Sequence, residues 1–269
     1  MKYFLSIDNN YYHRWQTELL IESFKYHSID NDLIVFIANK DALTTNDYIK
    51  NIISHKNKHF HKGFKDVYLN KLNCLKYVVE NKIIDEPFCI IHPDMLLHFP
   101  IKCDSEKDIL FSYDPTKDNF FNLIEKELIK QLETKPIFIP FGNIVLFNNI
   151  NLEFINYLYN NYISLSKQDS YFARRYSWIY TLIQNGYGMI GECFTTGIEE
   201  FEQNLMHHNL KNNFIHYQHG LGFSWNKHQF KRPDMLLSMS GPYESFLNTD
   251  ITTSSTDYFR EIINSYLSV

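Results

Sequence analysis

Strand-like and helix-like segments alternate through the first hundred residues, and no other feature of the chain restricts its fold as strongly. Tyr3 to Ile7 is a short apolar run. Tyr12, Trp15, Leu19, Leu20 and Phe24 then recur at helical spacing, and Leu33 to Ala38 (LIVFIA) is dense in branched residues, as strands are. A polar stretch follows, then a helix predicted from about Asp66 to Asn81 that leads into the apolar run FCIIHPD. Such β-α-β units predict an α/β fold with a mostly parallel sheet flanked by helices, because parallel strands need a crossover and its helix must bury an apolar stripe on the sheet. Ligands in that architecture sit beyond the carboxyl ends of the strands, where Asp8 and Asp94 both fall.

Past residue 100 the pattern loosens. Strands are expected at Ile109 to Tyr113, Ile137 to Phe147 and Phe214 to Tyr217, and Phe172, Tyr176, Ile179 and Ile183 mark one face of a helix that Gly186 and Gly188 end. Phe259, Ile262, Ile263, Tyr266 and Leu267 make the apolar stripe of a last helix. No linker separates independent units, so residues 1–269 read as a single domain, with 1–100 its ligand-binding half and 101–269 the other.

A net charge of -5 argues against a protein that grips nucleic acid mainly through phosphates. The N-terminal MKYFLSIDNN turns polar too early for a signal-peptide core, and no run approaches the ~18 apolar residues of a spanning helix. The expectation is a soluble cytoplasmic protein with no membrane partner. Cys74, Cys89, Cys103 and Cys193 form no C-x-x-C pair and read as free thiols. His55, His59 and His61 lie among lysines and read as a solvated loop.

FCIIHPDMLL sets a carboxylate at a strand exit, with Pro93 restricting the turn before it. Asp94 there either faces a ligand or caps a local turn. A second segment, NFIHYQHGLGFSWNKHQFKR, also delivers a histidine, His216, from an apolar strand. His92, Asp94 and His216 together suit a divalent metal, with imidazole favouring Mn2+ over Mg2+. The same H-x-D…H order marks Fe(II)/2-oxoglutarate oxygenases, but those mount it on an antiparallel barrel rather than on β/α alternation. Trp225 and Phe223, after Gly222, either stack on a sugar or fill the core.

The segments NKLNCLKYVVENKIIDEPFCIIHPDMLL and FIHYQHG resemble those of the GT-A-type glycosyltransferases grouped around the plant hydroxyproline O-arabinosyltransferases and peptidyl-serine O-galactosyltransferases, with the base J glucosyltransferase more distant. Pro140-Phe141-Gly142-Asn143 and Trp178 add a weaker match. The resemblance implies a GT-A-like (Rossmann-like) fold and metal-dependent transfer of a sugar from a nucleotide sugar, a UDP-sugar, to a hydroxyl. The acceptor class stays open among a peptide, a glycan, a small molecule and a modified DNA base. It also implies Asp94 and His216 as metal ligands, Asn70 and Lys71 near the donor diphosphate or sugar, and Asp8, Asn9 and Tyr11 around nucleobase and ribose. His92 replaces the family's first acid and binds either metal or ribose. Two departures stand out. Leu72 follows Lys71 where the family has Pro, and Thr181 occupies the position of a Glu after the helix Trp. Asp169 is the candidate substitute for that Glu, and a catalytically silent relative that binds sugar or protein is the alternative.

Overall fold

A computed structural model describes residues 1–8, 10–38, 59–61, 67–102, 109–112, 144–167, 170–185, 189–192, 195–197, 213–217, 225–231, 241–250, 252 and 254–268. The alternation of the first hundred residues is realised closely. Strand β1 (Lys2–Asp8) leads through helix α1 (Tyr11–Tyr26) to β2 (Leu33–Ala38), and after β3 (His59–His61) helix α2 (Val67–Glu80) leads to β4 (Phe88–Ile91). Asn10 caps α1, its Oδ1 accepting from the His13 amide at 2.8 Å; this satisfies one of the amides that a helix start leaves without an internal partner.

Within the described residues, seven strands form one sheet in the order β3-β2-β1-β4-β7-β6-β8, where β6 is Ile109–Ser112, β7 is Val145–Phe147 and β8 is Met189–Glu192. From β3 across to β4 every pairing is parallel, β7 runs antiparallel to both neighbours, and β6 pairs with β8 in parallel. The chain leaves β1 toward β2 on one side and returns through α2 to β4 on the other. The connections therefore diverge between the ends of β1 and β4, which opens a crevice there.

Alternation along each strand sorts the core. Phe4, Ile34, Phe36, Phe88 and Ile90 face α2 and the helices α3 (Leu152–Ser166) and α4 (Ser170–Asn185). Tyr3, Leu5, Ile7, Leu33, Val35, Cys89 and Ile91 face α1 through Leu20, Ile21 and Phe24. Burying each large side chain stabilises the fold by roughly 1.5–3 kcal/mol, which is why these strands are apolar on both faces.

A second sheet of three strands, β5 (Met95–Leu97), β10 (Phe214–His216) and β9 (Thr195–Gly197), lies beside the first. His92-Pro93-Asp94 is thus a corner at which the chain leaves one sheet and enters another. A third apolar cluster backs it, built on Trp15, Tyr217, Trp225, Phe230, Phe246 and Phe259 and closed by helices α5 (Gly241–Leu247) and α6 (Ser254–Leu267).

Several expectations change. His59–His61, expected as solvated loop, pairs through its backbone with the edge of β2. Of the strand expected at Ile137 to Phe147, the described part is Val145–Phe147. Helix α4 buries Ala173, Ser177, Trp178, Thr181 and Leu182; of its expected apolar stripe Tyr176 is half-buried, and the side chains of Phe172, Ile179 and Ile183 lie outside the described residues. Gly186 and Gly188, Cys103 and Cys193 lie outside the described residues, while Cys74 and Cys89 are buried thiols outside any disulfide. Among the described residues no helix is long and apolar enough to cross a membrane.

Candidate functional site

The carboxyl ends of β1 and β4 bring together Asp8, Asn70, Lys71, His92 and Asp94 of the residues singled out from sequence. Asp8 is the last residue of β1, and its Oδ1 accepts a 2.7 Å bond from Nδ2 of Asn70, which the first turn of α2 holds 3% exposed. One residue on, Lys71 reaches the β4 exit, where its Nζ lies 2.9 Å from His92 Nε2. Part of the Lys71 side chain meets solvent, yet its amine is packed among protein groups, and that burial pulls its pKa down to about 7. Asp94 opposes this by raising it, and Arg174 of α4 adds to the lowering.

Asp94 has a different partner. Its Oδ2 accepts from Lys227 Nζ at 2.6 Å; the Lys227 side chain is 2% exposed and that of Asp94 14%. The Lys227 ammonium also lies 5.3 Å from the centre of the Tyr217 ring. Tyr217 in turn holds the corner, donating its backbone N–H to the Asp94 carbonyl at 3.0 Å and its hydroxyl to the Pro93 carbonyl at 3.4 Å. Lys227 opens a short 3-10 helix (Lys227–Lys231) seated in the third core cluster by Trp225 and Phe230.

The first turn of α1 completes the crevice. Burial lowers the pKa of His13, while Asp8 and Asp94 raise it and Lys227 lowers it further. These four groups therefore share one electrostatic environment. Tyr12 places its hydroxyl 2.9 Å from His228 Nδ1, and Lys231 lies over its ring at 5.4 Å. Burial, followed by the Asp94 charge, raises the Tyr12 pKa and keeps the phenol protonated. Tyr11, first residue of α1, is half-buried against the third cluster.

Other expected residues lie elsewhere. Trp225 is 2% exposed, with Trp15, Tyr217, Phe246 and Phe259 around it, so its ring fills the core instead of offering a face to a sugar. Thr181 is wholly buried, donating to the Ser177 carbonyl at 2.6 Å and accepting from Asn161 of α3 at 3.0 Å; it ties two helices together and presents no atom to a substrate. Asn9, Asp169 and Phe223 lie outside the described residues, as does the side chain of His216. The backbone of His216 is described and pairs with Met95, next to Asp94.

A divalent metal was expected on Asp94, His216 and His92. Among the described residues no group of three His, Cys, Asp or Glu side chains could hold one. Of the two donors whose side chains are described, Asp94 accepts from the Lys227 ammonium through Oδ2 and His92 Nε2 lies 2.9 Å from Lys71 Nζ, so a cation on this pair would have to sit beside both lysines. The iron-oxygenase alternative meets a separate objection, since its H-x-D belongs on an antiparallel barrel and here it leaves a strand paired in parallel with β1.

His13, Tyr12, Lys227 and His228 are the residues that the sequence reading passed over. YYH directly after the β1 loop was a usable signal for the first two, and a lysine two residues past a core tryptophan for the third.

No family model matches the sequence, and no curated protein matches it. Solved structures do. An active-site mutant of LgtC aligns with a TM-score of 0.53 at 12% identity, covering 98% of this chain and 96% of that one. The chain has a GT-A-type glycosyltransferase fold. The galactosyltransferase LgtC with donor and acceptor sugar analogues aligns at 0.48 and 11% identity, over 98% of this chain and 96% of that one. A glycosyltransferase involved in glycosylating the major capsid of PBCV-1 aligns at 0.47 and 9%, over 88% of this chain and 100% of that one. At these identities the likeness speaks to the fold alone.

Proposed function

We propose that this chain transfers a sugar from a nucleoside diphosphate sugar, with uridine diphosphate as the nucleotide, to a hydroxyl acceptor. One juxtaposition carries the reading. At the switch point of a GT-A-like sheet, Asp8, held by Asn70, shares a crevice with the amines of Lys71 and Lys227.

The chemistry asks for that pairing. In glycosyl transfer the bond from the anomeric carbon to the β-phosphate oxygen breaks with its electron pair going to the diphosphate. The acceptor oxygen bonds the same carbon and gives up its proton, which passes to solvent as the diphosphate leaves. Negative charge grows on the diphosphate, and fixed cations in a site shielded from water stabilise it far better than bulk solvent would. Lys227 supplies such a cation in a chain whose net charge is -5, and Lys71, with its pKa at about 7, becomes a second when a phosphate oxygen beside it favours the protonated amine. Asp8, able only to accept when ionised, suits the N–H and O–H donors of a nucleoside. Holding donor and acceptor in one crevice supplies orientation.

A melting panel tests the reading. Uridine, adenosine, guanosine and cytidine diphosphates and their sugar conjugates are each added in excess. A ligand at ~100 times its dissociation constant adds about 2.7 kcal/mol, several degrees for a chain of this size. The uridine series is expected to raise the midpoint most. A panel in which no nucleotide moves it contradicts the proposal.

A further inference from the structure

The lysine paired with Asp94 carries an inference that rests on the glycosyl-transfer reading and sharpens it. Lys227 is fixed from three directions: Asp94 Oδ2 at 2.6 Å, the Tyr217 ring at 5.3 Å, and a 3-10 turn anchored by the buried Trp225 and Phe230. The carboxylate is equally constrained, because Tyr217 bonds the carbonyls of both Pro93 and Asp94. A divalent ion held by Asp94 would lie beside this ammonium, and two cations so close in a buried setting repel strongly.

We propose that Lys227 takes the place of a divalent cation at Asp94 and meets the donor diphosphate with its own ammonium, so that donor binding requires no divalent ion. An ammonium carries three donors, so a bond to Asp94 is compatible with others to phosphate oxygens. Asp94 then acts as a positioning residue that aims the lysine. Lys71, across the corner at His92, offers a second amine to the phosphates.

Calorimetric titration of the chelator-treated full chain tests this, with uridine diphosphate and with uridine, each in EDTA and in MnCl2. Free Mn2+ is followed in parallel by its paramagnetic resonance signal. The expected result is a diphosphate affinity that agrees within about twofold in the two buffers, and a wild-type chain that takes up no Mn2+. Lys227→Met should weaken the diphosphate about tenfold or more while leaving uridine unchanged, and Lys227→Arg should restore most of the loss. Diphosphate binding that tightens about tenfold on adding Mn2+ overturns the inference but leaves the glycosyl-transfer reading standing. So does Mn2+ uptake by the wild type, or a Lys227→Met variant with unchanged diphosphate affinity. If Lys227→Met does not fold, the wild-type comparison decides alone. A chain that binds no nucleoside diphosphate in either buffer loses both proposals.

Discussion

Two neighbouring parallel strands each end in an acid, and the two acids are held in opposite ways. Asp8, closing β1, accepts from the neutral amide of Asn70, whereas Asp94, just past β4, is matched by the ammonium of Lys227. A neutral partner leaves a carboxylate its charge and its capacity to accept further hydrogen bonds from a ligand. A cationic partner cancels the charge and turns the acid into a mount for the cation. A strand end therefore delivers a carboxylate to the crevice in both cases, and the residue facing it decides what that carboxylate does.

The largest expected effect comes from breaking the charged end. Asp94→Ala leaves a buried ammonium without its counter-charge and should cost about 3–5 kcal/mol in urea unfolding. Combining it with Lys227→Met should recover much of that loss, because the uncompensated charge is then gone. A double variant as unstable as the single would show that the pair is not the unit described here.

Lys71 sharpens the comparison through pH. Its ordinary value is 10.5, and in the fold burial brings it to about 7. Between those values the unfolded chain binds a proton that the folded chain does not, so stability rises with pH from 7 toward 10.5 by up to about 1.4 kcal/mol per unit. Below 7 both states are protonated and the cost of burying the charge is fully present. Lys71→Met should flatten this slope, read as the difference in melting midpoint from wild type at pH 7 and pH 9. An identical slope in the variant would place the amine in water.

The smallest effect on stability belongs to the neutral end. Asp8→Asn removes a charged acceptor from a half-buried position at the end of β1 and should cost only about 1 kcal/mol. Its consequence should appear in binding, with uridine affinity falling while inorganic pyrophosphate affinity holds. A variant that loses both equally would mean that the two strand ends do not divide the ligand between them.

Much of this arrangement was legible before any coordinates. The β1–α1–β2 and α2–β4 units could be read because their apolar residues repeat at clean strand and helix periods, and the acids at their ends followed. Helix α3 escaped notice although Phe154, Ile155, Leu158 and Tyr162 form a regular buried stripe behind the cap Asn151; the many asparagines and tyrosines between them blur the period. His59–His61 escaped because an edge strand pairs through its backbone and has no need of apolar side chains. Lys227 was harder to read for a third reason: a lysine in a polar run reads as solvated, and what buries it includes Asp94, 133 residues away, and the Tyr217 ring. The change of sheet at His92-Pro93-Asp94 is tertiary in the same sense, since β4 and β5 are both apolar and nothing local separates them.

A crystal structure of the full chain grown with uridine diphosphate and EDTA tests the central claim most directly. The account predicts the nucleoside against Asp8 and the diphosphate oxygens within hydrogen-bonding distance of Lys71 Nζ and Lys227 Nζ. Nucleotide bound away from the β1–β4 crevice, or bound there with both lysines turned from the phosphates, would contradict it.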